Sequence, residues 1–155
     1  MPSLPLPGYT RVYAPAGSGC VDVHERHGKQ ERAENLLIAA FLVDLGEHVY
    51  LLPVSQVHGF KSPDATRDGM PWEFKVPTGH TANAIDKALR DGSKQAARIL
   101  RHLPADLAAS LVEQALFDRV RRTLTIEEVA VLRGRQLVAY TRLEIVGNTF
   151  RGKLA

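Results

Sequence analysis

The sequence predicts an α/β fold, a central mixed β-sheet flanked by helices. Three observations carry that prediction. Apolar residues recur at helical spacing over Lys29–Leu45 and Asp106–Arg122. Short β-branched runs, bounded by Gly, Pro and Asp, lie before, between and after them. Helical and strand patterns alternate along the chain instead of segregating.

The 155 residues suffice for one domain with a buried core. Hydrophobic residues make up 45% and charged residues 24%, which excludes disordered and collagen-like classes. The longest apolar run, near Leu36–Val43, is too short to span a bilayer. A single cysteine, Cys20, excludes an internal disulfide. MPSLPLPGYT lacks the basic start and apolar core of a signal peptide, and the lone cysteine fits a reducing, cytoplasmic site of action. The net charge of +3 is unevenly spread. Residues 1–85 hold 7 basic and 9 acidic side chains, and residues 86–155 hold 13 and 8. An acidic half joined to a basic one suits an enzyme acting on nucleic acid.

Pro2, Pro5 and Pro7 make an irregular lead-in. Arg11–Tyr13 and Cys20–His24 read as two short strands around the turn Ala14–Gly19. Cys20 reads as a small buried residue, and His24 and His27 as a solvated basic loop. In the first helix Glu34, Leu37, Ile38, Phe41 and Leu45 share one face, predicted to face the core. Gly46 ends that helix. Val49–Leu52 is apolar on both faces and reads as a central strand. Ser55–Lys61 reads as a loop, Ser62–Thr66 as a strand, Arg67–Gly69 as a turn and Met70–Val76 as the next strand. Pro77-Thr78-Gly79 breaks it, and His80 reads as a loop histidine. A helix is expected over Thr81–Arg90, with Ile85, Ala88 and Leu89 inward. Ser93–Leu103 is compatible with more helix or with a helix end followed by a strand, and Arg98, Arg101 and His102 form a candidate phosphate-facing row. After the second strong helix, Arg119, Arg121 and Arg122 read as a solvated helix end. Ile126–Leu132 and Gln136–Thr141 form a hairpin across Arg133-Gly134-Arg135, and Arg142–Ala155 adds a strand or frays.

The chemistry concentrates in SPDATRDGMPWEFK, Ser62–Lys75. Glu73 and Lys75 are two apart, so on a strand they share a face. Asp64 and Glu73 supply carboxylates and Phe74 a backbone carbonyl, the hard oxygen donors that magnesium prefers. Lys75 beside such a metal can position its water or stabilise charge on a pentavalent phosphorus. Glu34 is a candidate further acid, with Glu31 as its rival one turn earlier.

Pro63-Asp64 followed by Glu73-Phe74-Lys75 resembles the motif of the PD-(D/E)XK nuclease superfamily, and the order of elements matches that core. From Gln30 to about Tyr140 the chain further resembles the C-terminal tRNA-nuclease toxin domains of contact-dependent growth inhibition proteins, the CdiA type. The pieces are the acid-bearing helix ending at Gly46, the strand VYLLP, the segment SPDATRDGMPWEFKVP, and Lys94-Gln95-Ala96 before an apolar stretch. The resemblance implies a PD-(D/E)XK-like core and a nuclease-like domain over residues 29–142. Residues 1–28 are then a lead-in hairpin and 143–155 a tail. It implies Mg2+- or Mn2+-dependent cleavage of RNA, most readily tRNA, after delivery into a target cell, with a cognate immunity protein and no membrane role. Catalytic roles carry over to Glu34, Asp64, Glu73 and Lys75. The metal would be held by Asp64, Glu73, the Phe74 carbonyl and Glu34. Substrate contacts fall to Lys94, Gln95 and Arg98.

Overall fold

The computed structural model describes residues 4–17, 19–55, 62–75, 79 and 81–155. Among these, eight strands and four helices alternate in an α/β fold with both parallel and antiparallel pairing. The chain divides into two compact units, Met1–Trp72 and Glu73–Ala155, and the division falls inside a strand. This differs from the expected lead-in, body and tail. The lead-in strands pair into the first unit's sheet, and the tail packs into the second unit's core. Ser18, most of the Ser55–Lys61 loop, Val76, Pro77, Thr78 and His80 lie outside the described residues.

In the first unit β1 (Tyr9–Tyr13) pairs antiparallel with β2 (Cys20–His24). Helix α1 (Arg32–Asp44) then carries the chain to β3 (His48–Leu51), which lies parallel to β2. A Cβ at Gly19 would run into the Glu47 carbonyl, so only glycine lets β2 begin this close to β3. The strand β4 (Ala65–Arg67) returns antiparallel to β3 and turns into β5 (Met70–Lys75). The turn is Asp68-Gly69, both at positive φ, the two-residue hairpin connection expected of an Asp-Gly pair. Helix α1 packs on β2 and β3. Ile38, Ala39, Leu42 and Val43 are buried in this unit, as are Val21, Val23, Val49 and Leu51.

Two expectations fail in this unit. The buried face of α1 is Asn35, Ile38, Ala39, Leu42 and Val43, while Glu34 is exposed and Leu37 and Leu45 lie 68% and 60% open. The helix is apolar nearly all round, so the stripe had no unique reading. Asn35 is inward because its side-chain amide donates to His27 Nε2 at 3.1 Å. His27 is accordingly a buried histidine and not part of a solvated loop; its Nδ1 donates to the Leu52 carbonyl at 2.6 Å.

In the second unit the end of β5 pairs parallel with β6 (Arg98–Leu103), and β6 pairs parallel with β7 (Glu128–Arg133). The crossovers are α2 (Ala82–Gly92) and α3 (Ala109–Val120). Thr81 caps α2 by accepting from the Ala84 N–H at 3.1 Å. Across Gly134-Arg135 β7 turns into β8 (Gln136–Thr141), pairing antiparallel. Ile85, Leu89, Ile99, Leu103, Leu116 and Val131 are among the residues that close the core. Arg119 grips Asp86 on α2 through two bonds of 2.9 Å and ties the two helices together, whereas Arg121 and Arg122 keep 51% and 53% of their side chains exposed, as a solvated helix end does.

The tail is neither a strand nor frayed. Thr141 and Glu144 form a capping box that starts α4 (Arg142–Val146), and Phe150 and Leu154 then return to the core. Buried Glu113 anchors the return by accepting from the Gly152 N–H at 3.1 Å. Glu144 is pushed down to about 2, first by the Lys153 ammonium and then by bonds from Thr141. A carboxyl depressed on folding contributes stability in full above its ordinary 4.5, and that contribution is lost as pH falls toward 2. Unfolding free energy is therefore expected to drop across this window, and Glu144→Gln is expected to flatten the drop. Urea denaturation of both proteins at several acidic pH values checks it; parallel profiles would refute it.

Candidate active site

Strand β5 is buried along its second half, where Glu73, Phe74 and Lys75 pair with β6, and its apolar residues alternate with polar ones. Trp72 and Phe74 are 4% exposed, and Glu73 between them is 3% exposed. Arg67 lies over the Trp72 ring at 4.4 Å, so this tryptophan packs within the first unit. The spacing of two puts Glu73 and Lys75 on one side of the strand, and their side chains meet, Nζ to Oε2 at 3.3 Å. Lys75 keeps 26% of its side chain exposed. A carboxylate held out of water thus stands beside a lysine that is only partly buried.

The neighbouring strand adds a group that the sequence reading misplaced. Lys75 is in register with Arg101, and Glu73 with Ile99. Arg101 is fully buried, between Leu100 and His102 in sequence and on the side of Ile99 and Leu103. Its Nη1 donates to the His102 carbonyl at 2.9 Å and reaches the Lys75 carbonyl at 3.5 Å. Its Nε and Nη2 have no hydrogen-bond partner among the described residues. Burial pushes its pKa down to about 10, which leaves it charged at neutral pH. The expected row of Arg98, Arg101 and His102 does not form, because alternation along β6 separates Arg101 from the other two. Arg98 is instead committed to Glu127 at 3.2 Å and Glu128 at 3.5 Å.

The remaining expected residues sit as follows. Asp64 is half-buried and directly precedes β4, where its carbonyl accepts from Leu52 N–H at 2.9 Å. The hairpin register pairs Ala65 with Trp72. Glu34 stands in the first, exposed turn of α1. Lys94 is exposed in the turn after α2, and Gln95 is half-buried beside it. The structure brings Glu73 and Lys75 together; Glu34 is on the solvent side of its helix. Sequence reasoning missed a polar cluster on the first unit's sheet, where Asp22 is wholly buried between Arg11 and His48. Its signal was an aspartate inside the apolar run Cys20–His24.

Two comparisons bear on this arrangement. Residues 61–136 match the family model of the contact-dependent growth inhibition CdiA C-terminal domain, a segment that contains Asp64, Glu73, Phe74 and Lys75. The fold is similar to a solved structure described as a CdiA-CT/CdiI toxin and immunity complex from Burkholderia pseudomallei. The TM-score is 0.57 at 17% identity, over 72% of this chain and 85% of that one. No curated protein matches the chain.

Proposed function

We propose that the chain is a toxin-type effector that hydrolyses RNA phosphodiesters with a divalent metal, tRNA being its substrate class. The observation that carries the proposal is the Glu73–Lys75 pair on β5, inside the segment that matches the CdiA C-terminal domain. The order Asp, hairpin, Glu-x-Lys is the pattern of PD-(D/E)XK nucleases. Asp64 and Glu73 flank the paired position Ala65–Trp72 in the chain.

The donor set fits Mg2+ or Mn2+. Carboxylates of Asp64 and Glu73 and the Phe74 carbonyl are hard oxygens, and no thiol or imidazole stands among them. When bound, such an ion neutralises phosphate oxygens and acidifies a coordinated water. Glu73 lies on a paired strand, is 3% exposed and holds Oε2 3.3 Å from the Lys75 ammonium. Lys75, 26% of whose side chain is exposed, donates to a phosphoryl oxygen as negative charge grows there. Lys94 and Gln95 suit contacts to the RNA backbone; Arg98, already balanced by two glutamates, is the weaker candidate. Glu34, exposed on α1, is not needed for this set. The toxin and immunity complex with a similar fold supports a cognate immunity protein as partner of this chain too.

The test is incubation of the protein with total tRNA and with plasmid DNA, each with magnesium and with EDTA. Cleavage of tRNA that needs the metal is expected. Plasmid cleavage alone would make it a DNase, and intact substrates under every divalent ion would make it a binding protein with a nuclease fold.

A further inference from the structure

We propose that Cys20, Asp22 and His48 form a second metal site, for zinc or a similar thiophilic divalent cation, separate from the proposed nuclease centre. The parallel register of β2 and β3 sets Cys20 directly opposite His48, and Asp22 follows two residues after Cys20 on the same face. One ligand atom from each lies within 4.8 Å of the others. A tetrahedral zinc, with bonds of about 2.0–2.3 Å, needs ligand atoms roughly 3.5 Å apart. Closing that gap takes about 1 Å of side-chain movement. Thiolate, imidazole and carboxylate together select zinc or cobalt over magnesium, which avoids sulfur.

The surroundings resemble a prepared site. Val21, Val23, Val49 and Leu51 are fully or nearly fully buried on the alternate positions of the same two strands, so the backbone beneath the ligands is fixed. Arg11 Nε donates to Asp22 Oδ1 at 2.9 Å and orients the carboxylate from outside. Asp22 Oδ2 now accepts from His48 Nε2 at 3.1 Å and from Arg11 Nη2 at 3.1 Å. A cation would take the place of the His48 proton between those two atoms. Cys20 is 2% and Asp22 0% exposed, but His48 keeps 31% of its side chain open and provides the way in. Thiolate and carboxylate balance a dication, and the charge left over is that of Arg11, 18% of whose side chain is exposed. Three protein ligands leave the fourth corner to water.

Burial, reinforced by the charge of Asp22, holds the Cys20 thiol pKa above its ordinary value. That argues against a nucleophilic cysteine, and it means a metal must displace the thiol proton. The test uses the full chain, reduced and stripped with EDTA, titrated with Co2+ and followed by absorption. A thiolate-to-cobalt charge-transfer band that saturates at one equivalent and is displaced by Zn2+ is expected. Cys20→Ser should abolish the band with an unchanged circular dichroism spectrum, and His48→Ala should weaken binding at least about tenfold. Lys75→Ala should leave the band intact, which separates this site from the nuclease reading. Absence of the band in the wild-type protein, or its survival in Cys20→Ser, would overturn the proposal.

Discussion

Replacement of Lys75 by alanine is expected to lower the proposed metal-dependent tRNA cleavage by about 100- to 1,000-fold, the loss that follows removal of one group aimed at transition-state charge. The ammonium stands 3.3 Å from Glu73 and keeps access to solvent, so it can serve carboxylate and phosphate together. Removing it also takes the nearby cation from a carboxylate that is 3% exposed. Breaking a buried pair costs about 3–5 kcal/mol, and the partial exposure of Lys75 brings the expected cost to about 1–3 kcal/mol. Activity and stability must therefore be read together, by kcat/KM on tRNA and by urea unfolding of the same preparation. Lys75→Arg separates them. It keeps the charge and most of the stability, yet its planar fork is a poor substitute for a compact ammonium, and cleavage should stay well below wild type. Wild-type cleavage by Lys75→Ala would remove Lys75 from the chemistry.

The largest stability effect is expected at Phe150, outside every strand and helix. Its ring is fully buried, edge-on to Tyr140 at 5.9 Å and stacked on Phe117 at 6.3 Å. Phe150→Ala should cost about 3–5 kcal/mol, the range for a large aromatic removed from a closed core. Leu143, 85% exposed on α4, is the control, and Leu143→Ala should change stability by less than about 0.5 kcal/mol. Denaturant unfolding of both variants checks the contrast. A cost below about 1 kcal/mol at Phe150 would mean that the tail does not hold the core.

Local signals were readable and non-local ones were not. Asp68-Gly69, Gly134-Arg135 and Gly46 announced turns and a helix end, since each reports a backbone conformation that few residues adopt. Glu73 and Lys75 were legible as partners because strand geometry alone aligns positions two apart. The tail departs from its expectation because the Thr141-to-Glu144 box starts a helix there, and Gly147-Asn148 marks that helix's end. The inward face of α1 was not legible, because apolar residues lie nearly all round the helix and give the stripe no unique direction. Arg101 and the Cys20, Asp22 and His48 cluster depend on which strands lie parallel and in what register. No spacing along the chain carries that information.

The pairing pattern of the second unit also leads to an expected order of assembly. The hairpin of β7 and β8 closes over a two-residue turn, whereas β6 can meet β7 only after the chain between Leu103 and Glu128 has been gathered in. Loop closure grows costlier with length, by about 0.6 kcal/mol per doubling. The hairpin is thus the expected nucleus, with β6 expected to dock on it afterwards. Glu73 and Lys75 pair with β6, so the proposed chemistry would be among the last things this unit acquires as it folds.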